Sequence, residues 1–209
     1  MRNSNGKPAG PRIKKPVQKR SIETRNNIIN TAKDLFSELG FDATTTNLIA
    51  RRSGLSIGSV YAHFTNKLEI FHTILEDFSK DVFDYLKESI QKIIEDRNNL
   101  NEAIDLLVHG LFNAHKLNGH LNAEMDKFIL MDSKAGKIRA EWEAKTNREI
   151  LNLINHFSND ISIKDKHAAV TVIHRSIHEV FQYLYKNRNR LDEKAVLDEF
   201  VTMLQKYVA

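Results

Sequence analysis

The segment from Thr44 to Lys67 constrains the fold of this chain more than any other part of it. Thr45 or Thr46 can cap the start of a helix, because a threonine hydroxyl accepts a hydrogen bond from the N–H groups that the first helical turn leaves unbonded. That helix ends near Gly54, since glycine readily adopts the left-handed conformation found at helix ends. The segment therefore begins with a short helix that a glycine-containing turn terminates.

A second short helix follows the turn and is predicted over Ile57 to Phe64. Ser56 can cap it, and Val60 and Phe64 lie one turn apart on the side that faces inward. Two short helices joined by a tight turn are typical of the helix-turn-helix motif.

The outward side and edges of the second helix carry small, hydroxyl and aromatic side chains and no carboxylate: Ile57, Gly58, Ser59, Tyr61, Ala62 and His63. Such a surface can approach phosphates and enter a major groove. Lys67 lies near the start of the next helix, where the helix dipole disfavours a cation unless an anion such as phosphate offsets it. These features favour DNA binding, although similar turns also occur in proteins that never contact DNA.

Basic residues are concentrated in the part of the chain that contains the motif. Residues 1–70 hold 12 Lys and Arg against 5 Asp and Glu, a net charge of +7, whereas residues 71–209 hold 19 against 22, a net charge of −3. This asymmetry is expected of a DNA-binding module attached to a nearly neutral domain. Residues 1–20 are predicted to be a disordered basic arm, which either lies along DNA or serves as a solubilising tail.

The motif and the helix before it resemble the DNA-binding domain of the TetR family of bacterial transcriptional regulators, over about residues 21–70. The positions that match the family's spacing are Ala32, Leu35, Phe36, Gly40, Phe41, Thr44, Thr45, Ile49, Ala50, Gly54, Leu55, Ser56, Gly58, Val60, Tyr61, Phe64 and Lys67. Two positions depart from the pattern: Thr46 stands where the family usually has an apolar residue, and Leu48 where it often has a polar one.

This resemblance implies a recognition helix from Ile57 to His63, with phosphate contacts by Thr45, Tyr61, His63 and Lys67. The DNA-binding residues expected altogether are Thr45, Thr46, Ser56, Ile57, Gly58, Ser59, Tyr61, Ala62, His63 and Lys67. The resemblance also implies an all-helical homodimer whose two-fold symmetry suits a palindromic double-stranded DNA operator.

Apolar residues at helical spacing predict further helices, and no alternation typical of strands occurs. They are expected at about 22–39, 68–94, 100–118, 121–131, 137–157, 164–186 and from 193 to the terminus. The predicted fold is all-α, with a three-helix helix-turn-helix domain at 21–67. The long helix joins it to a helical effector-binding and dimerisation domain at 68–209. The apolar stripes of the last two helices suit either the core of one chain or, as the resemblance implies, a homodimer interface.

The C-terminal helices carry residues that could enclose a small-molecule effector: Phe112, His115, Phe128, Trp142, Asn147 and Phe181. With the resemblance, they predict a repressor that a small molecule releases from its operator. The alternative is a DNA-tethered interaction protein whose C-terminal domain binds a protein partner. A ligand-sized cavity would distinguish the two.

The sequence offers little for catalysis, metals or membranes. It has no cysteine and no familiar nucleotide-binding or hydrolase pattern, so we expect neither an enzyme nor a cofactor. His174 and His178, four residues apart, could supply two metal ligands, but this spacing is common at surfaces and we expect no metal site. The N-terminal residues lack the apolar core of a signal peptide, and no apolar segment approaches the length of a membrane span, so we expect a cytoplasmic protein without membrane contact.

Overall fold

The computed structural model describes residues 15–97, 99–116 and 119–209. Within those ranges it contains helices only, which confirms the predicted all-α class. The helices are α1 (Lys15–Ala43), α2 (Thr46–Ser53), α3 (Ile57–Tyr61), α4 (Lys67–Glu95), α5 (Leu100–Lys116), α6 (Gly119–Met131), α7 (Ser133–His156), α8 (Lys166–Lys186) and α9 (Glu193–Val208). None of the helices in these ranges is both long and apolar enough to cross a membrane.

Helix α1 begins earlier than expected. Residues 15–20, predicted to belong to a disordered arm, form its first turns, while residues 1–14 of that arm lie outside the described part of the chain. The helix is interrupted at Gly40, with φ 80° and ψ 168°, where the sequence predicts its end. Thr44 is fully buried just beyond this break, and its hydroxyl donates to the carbonyls of Leu35 and Gly40.

The helix-turn-helix domain packs around one apolar core. Its centre consists of fully buried side chains from four helices: Ile28, Leu35, Phe36, Ile49, Val60, Ile70 and Phe71. The same core continues into the C-terminal domain through Leu121, Met125, Ala135 and Ile138. This core therefore contains residues from both sides of the predicted domain boundary at residue 67.

Two further apolar cores complete the C-terminal domain. One lies between α5, α8 and α9 and includes Phe112, Phe181 and Phe200. The other joins α4, α5 and the end of α7 and includes Ile90 and Phe157. Helix α4 runs through the first and the third of the three cores, so it connects the DNA-binding part of the molecule to the rest.

Aspartate caps set where the later helices begin. Asp132, Asp165 and Asp192 each accept hydrogen bonds from N–H groups in the first turns of α7, α8 and α9. Helix α7 thus starts at Ser133 and includes Gly136, whereas the sequence predicts a start after that glycine.

Candidate nucleic-acid interface and effector cavity

Hydrogen bonds at helix ends build the turn between α2 and α3. The Thr45 hydroxyl accepts from Leu48 N at 3.1 Å, and the Ser56 hydroxyl accepts from Ser59 N at 3.1 Å. Gly54 has φ 70° and ψ 22°, and Leu55 N donates back to Ala50 O at 3.0 Å. These are the caps and the left-handed residue that the sequence predicts.

The second helix is shorter than predicted. It ends at Tyr61, and His63 N donates to Val60 O, three residues back, so the chain tightens before Asn66 caps α4. Ala62 and His63 therefore lie on a turn rather than within the helix.

The outward surface of α3 is open, and residues 44–67 contribute no acidic group to it. Ile57 and Tyr61 are 38% and 53% exposed, and Gly58 and Ala62 are exposed as well. Segment 44–67 contains no Asp or Glu. A polyanion can therefore approach this segment without meeting a carboxylate from residues 44–67.

Two hydroxyl pairs order this surface. The Tyr61 hydroxyl lies 3.2 Å from that of Thr46, and the Ser56 and Ser59 hydroxyls lie 2.8 Å apart. The polar residue at position 46, which departs from the family pattern, thus holds the tyrosine that is expected to contact phosphate. All of the predicted DNA-binding residues except Lys67 lie on or beside this surface, and their contacts with DNA stay a prediction.

Lys67 has a role that sequence reasoning missed. Its ammonium donates to the carbonyls of Phe41 at 2.5 Å and Thr44 at 2.7 Å, and lies 4.0 Å from the centre of the Phe41 ring. Partial burial lowers its pKa. The lysine thus caps the end of α1. The helix dipole disfavours a cation at the start of α4, and these carbonyl oxygens, rather than a phosphate, compensate for it. Its predicted phosphate contact is untested.

The C-terminal domain contains a partly open cavity of about 230 Å³ between α4, α5, α6, α7, α8 and α9. Most of the lining is aliphatic or aromatic, and α4 contributes Leu75, Phe78, Val82, Leu86 and Ile90. The cavity is half as large again as the roughly 150 Å³ cavity that accepts benzene in an engineered protein. It is therefore large enough for a small organic molecule.

Three of the six predicted effector residues line this cavity: His115, Trp142 and Phe181. The other three lie elsewhere. Phe112 is buried against Phe181, their ring centres 5.1 Å apart, in the core of α5, α8 and α9. Phe128 packs between Phe41 and Phe71 of the DNA-binding domain, and Asn147 holds His174 through a contact of 2.6 Å.

Polar groups gather along one part of the cavity wall. Asp126 of α6, Arg139 and Glu143 of α7, and His174, His178 and Gln182 of α8 belong to it, together with His115 of α5. Burial lowers the pKa of His115 and of His174 to about 4. Both imidazoles are therefore uncharged at neutral pH.

The histidines considered as metal ligands have other partners. His174 faces Asn147, and His178 Nε2 lies 3.6 Å from Asp126 Oδ1. Across the described ranges no group of three or more His, Cys, Asp or Glu side chains is placed to hold a metal ion.

A helix-turn-helix domain, which we call the reader, is joined by the long helix α4 to a helical domain that has its own cavity. This is the architecture of a DNA-binding regulator. Comparison with known proteins agrees: residues 28–74 match the family model described as bacterial regulatory proteins, tetR family. This part of the chain is a TetR-family DNA-binding domain, as its sequence predicts, and the whole chain has the fold of TetR-family regulators.

The similar proteins include both a transcriptional activator and a negative regulator. The transcriptional activator FasR of Mycolicibacterium smegmatis is 21% identical over 84% of this chain and 78% of its own length. The negative regulator of the biofilm operon icaADBC, IcaR of Staphylococcus aureus, is 38% identical, but the match spans only 42% of this chain and 44% of IcaR. A TetR-family regulator of Mesorhizobium loti has the same fold, with a TM-score of 0.74, 17% identity, and coverage of 90% of this chain and 96% of that one.

Proposed function

We propose that this TetR-family regulator is a homodimeric repressor that binds a palindromic operator and releases it when a small molecule occupies the cavity. The observation that carries the proposal is the position of α4. Its first turns place Ile70 and Phe71 in the core of the DNA-binding domain, and its later turns form one wall of the cavity. A molecule in the cavity would therefore press directly on the helix that positions the reader.

The surface of α8 and α9 supports the dimer. Val172 and Tyr183 on α8, and Met203 and Tyr207 on α9, are 50%, 60%, 50% and 46% exposed in the single chain. Both pairs follow helical spacing, so each forms one face. If these faces pack against their two-fold copies in a homodimer, their apolar side chains would be removed from water. The two helix-turn-helix motifs of the dimer could then contact successive half-sites.

The cavity favours a small-molecule effector over the alternative of a protein partner. A tightly packed C-terminal domain would have favoured a protein partner. This domain instead contains a cavity of about 230 Å³ with a mostly apolar lining. The released state must bind the effector better than the DNA-bound state does, because only differential affinity shifts a conformational equilibrium.

Selection of bound duplexes from a random pool, followed by sequencing, tests the operator proposal. The expected product is an inverted repeat whose half-sites are about one helical turn apart, or a multiple of it. Sedimentation of the protein–DNA complex should give an even number of chains. Enrichment of a single half-site, or no enrichment at all, would overturn the proposal.

A further inference from the structure

The polar part of the cavity wall has a defined hydrogen-bonding pattern. His174, His178 and Gln182 lie one turn apart on the same face of α8. Asp126 approaches this face, its Oδ1 lying 3.6 Å from both Arg139 and His178. The rest of the wall is largely hydrocarbon, so this cluster is where a ligand's polar group would be recognised.

Gln182 has an unused acceptor in this cluster. Its side-chain Nε2 donates to Asp126 Oδ2 at 2.6 Å, which fixes which end of the amide is the carbonyl. The residue is only 4% exposed, and its Oε1 is buried without a hydrogen-bond partner among the described residues. A carbonyl oxygen can only accept, so a hydrogen-bond donor is what this atom requires.

The charges in the cluster disfavour an anion. Arg139 lies 3.0 Å from Glu143 and 3.6 Å from Asp126, and Arg175 lies 2.9 Å from Glu143, so these two cations and two carboxylates offset one another. His115 and His174 are uncharged at neutral pH because burial lowers the pKa of each. Burial alone would raise the pKa of Asp126, but His178 and Arg139 lower it overall, so this carboxylate stays ionised. A ligand carboxylate would therefore find both arginines of this cluster already paired with carboxylates.

We infer that the cavity binds a small amphipathic molecule with an apolar body and a non-anionic hydrogen-bond-donor head, a hydroxyl or an amine, which donates to Gln182 Oε1. This inference rests on the proposed effector function and names the chemical class of the effector. A carboxylic acid, or an ester or ether without a donor, is discriminated against.

Binding of matched eight-carbon probes to the full-length protein tests this class. Octan-1-ol and 1-methoxyheptane are isomers that differ in the presence of an O–H donor, and octanoate carries an anionic head. Calorimetric titration at pH 7.5 should show octan-1-ol binding about tenfold more tightly than its ether isomer, the size of one buried hydrogen bond. Octanoate should bind more weakly than octan-1-ol.

Two variants test whether Gln182 is the residue that distinguishes the alcohol from the ether. Gln182→Met keeps the length of the side chain and removes its amide, so the alcohol-to-ether ratio should fall to about one. Gln205→Met makes the same exchange on α9, where the amide donates to Asn101 O and does not line the cavity, so the ratio should persist. A thermal melt checks that each variant is folded.

The outcomes separate this inference from the proposed function. Equal affinity for the alcohol and the ether, tighter binding of octanoate, no binding of any probe, or an unchanged ratio in Gln182→Met would each overturn the inference. Donor-selective binding that leaves operator affinity unchanged would support the inference and contradict effector-driven release.

Discussion

Gly58→Ala should separate the stability of the motif from its contact with DNA. A Cβ built at Gly58 meets only the Ser56 hydroxyl, at 3.9 Å, which is ordinary van der Waals contact. Alanine within a helix is more stable than glycine by about 0.5–1 kcal/mol. For a chain of this size, a gain of 1 kcal/mol raises Tm by about 2–4 °C. We therefore expect a Tm that is unchanged or a few degrees higher.

Operator affinity should fall in the same variant. Gly58 is exposed on the outward surface of α3, so the added methyl group would stand between the helix and the edges of the bases. A mismatch at one base pair typically costs about 1–3 kcal/mol, or roughly fivefold to 150-fold in Kd. Fluorescence anisotropy with the selected operator and with a random duplex should show the larger loss for the operator.

Gly54→Ala is the matched control. A Cβ at Gly54 meets nothing within 4 Å, but the backbone has φ 70°, a left-handed conformation that costs alanine about 1–2 kcal/mol. This variant should lower Tm although it creates no clash. A Gly58→Ala protein that melts as early as Gly54→Ala, or that keeps full operator affinity, would refute the assignment of Gly58 to the DNA surface.

Three further predictions concern the rest of the chain. Lys67→Met should lower the free energy of unfolding by about 1–3 kcal/mol in urea, because the Phe41 and Thr44 carbonyls lose their donor; a purely DNA-binding lysine would leave it unchanged. Met203→Glu should shift the protein from dimer to monomer in sedimentation without loss of helix, since the residue is half exposed in the single chain; a persistent dimer would place the interface elsewhere. Because the pKa of His115 and His174 is lowered to about 4 from 6.5, the unfolded chain binds more protons between these values. The stabilisation that these two neutral histidines contribute should be fully present above pH 6.5. The free energy of unfolding should fall as the pH drops towards 4, by up to about 1.4 kcal/mol per pH unit for each histidine. Urea titrations of His174→Asn should show a shallower fall.

The helix-turn-helix could be predicted because its determinants are local. The Thr45 and Ser56 caps and the left-handed Gly54 act within a few residues of themselves. The length of α3 could not be predicted, because its end depends on a tight turn that lets Asn66 cap the next helix. The hydrogen bonds of Lys67 to carbonyls could not be predicted for a related reason. The carbonyls that hold it belong to residues 23–26 positions earlier, which only the folded chain brings near.

The cavity was predictable only in outline. Aromatic residues on C-terminal helices pointed to it, but Phe128 serves another core, since its ring packs on Phe41 and Phe71. Gln182 was missed, although the polar residues His174, His178 and Gln182 recur every fourth position along α8. That repeat is a signal available from sequence. The pairing of Gln182 with Asp126 is not, because 56 residues separate them.

The apolar core shared by the DNA-binding domain and the C-terminal domain indicates how a ligand in the cavity would move the reader. Phe128 of α6 touches Phe41, beyond the break in α1, at a ring-centre distance of 4.2 Å, and Phe71 of α4 at 4.6 Å. Buried His72 of α4 also contacts Asp132, the residue that caps α7, at 2.7 Å. The DNA-binding domain is thus held by α6 and α7 as well as by its continuation into α4, so bending α4 alone would break its contacts with α6. A rigid rotation of the whole reader keeps them, and we expect α6 and α4 to move together when the cavity fills.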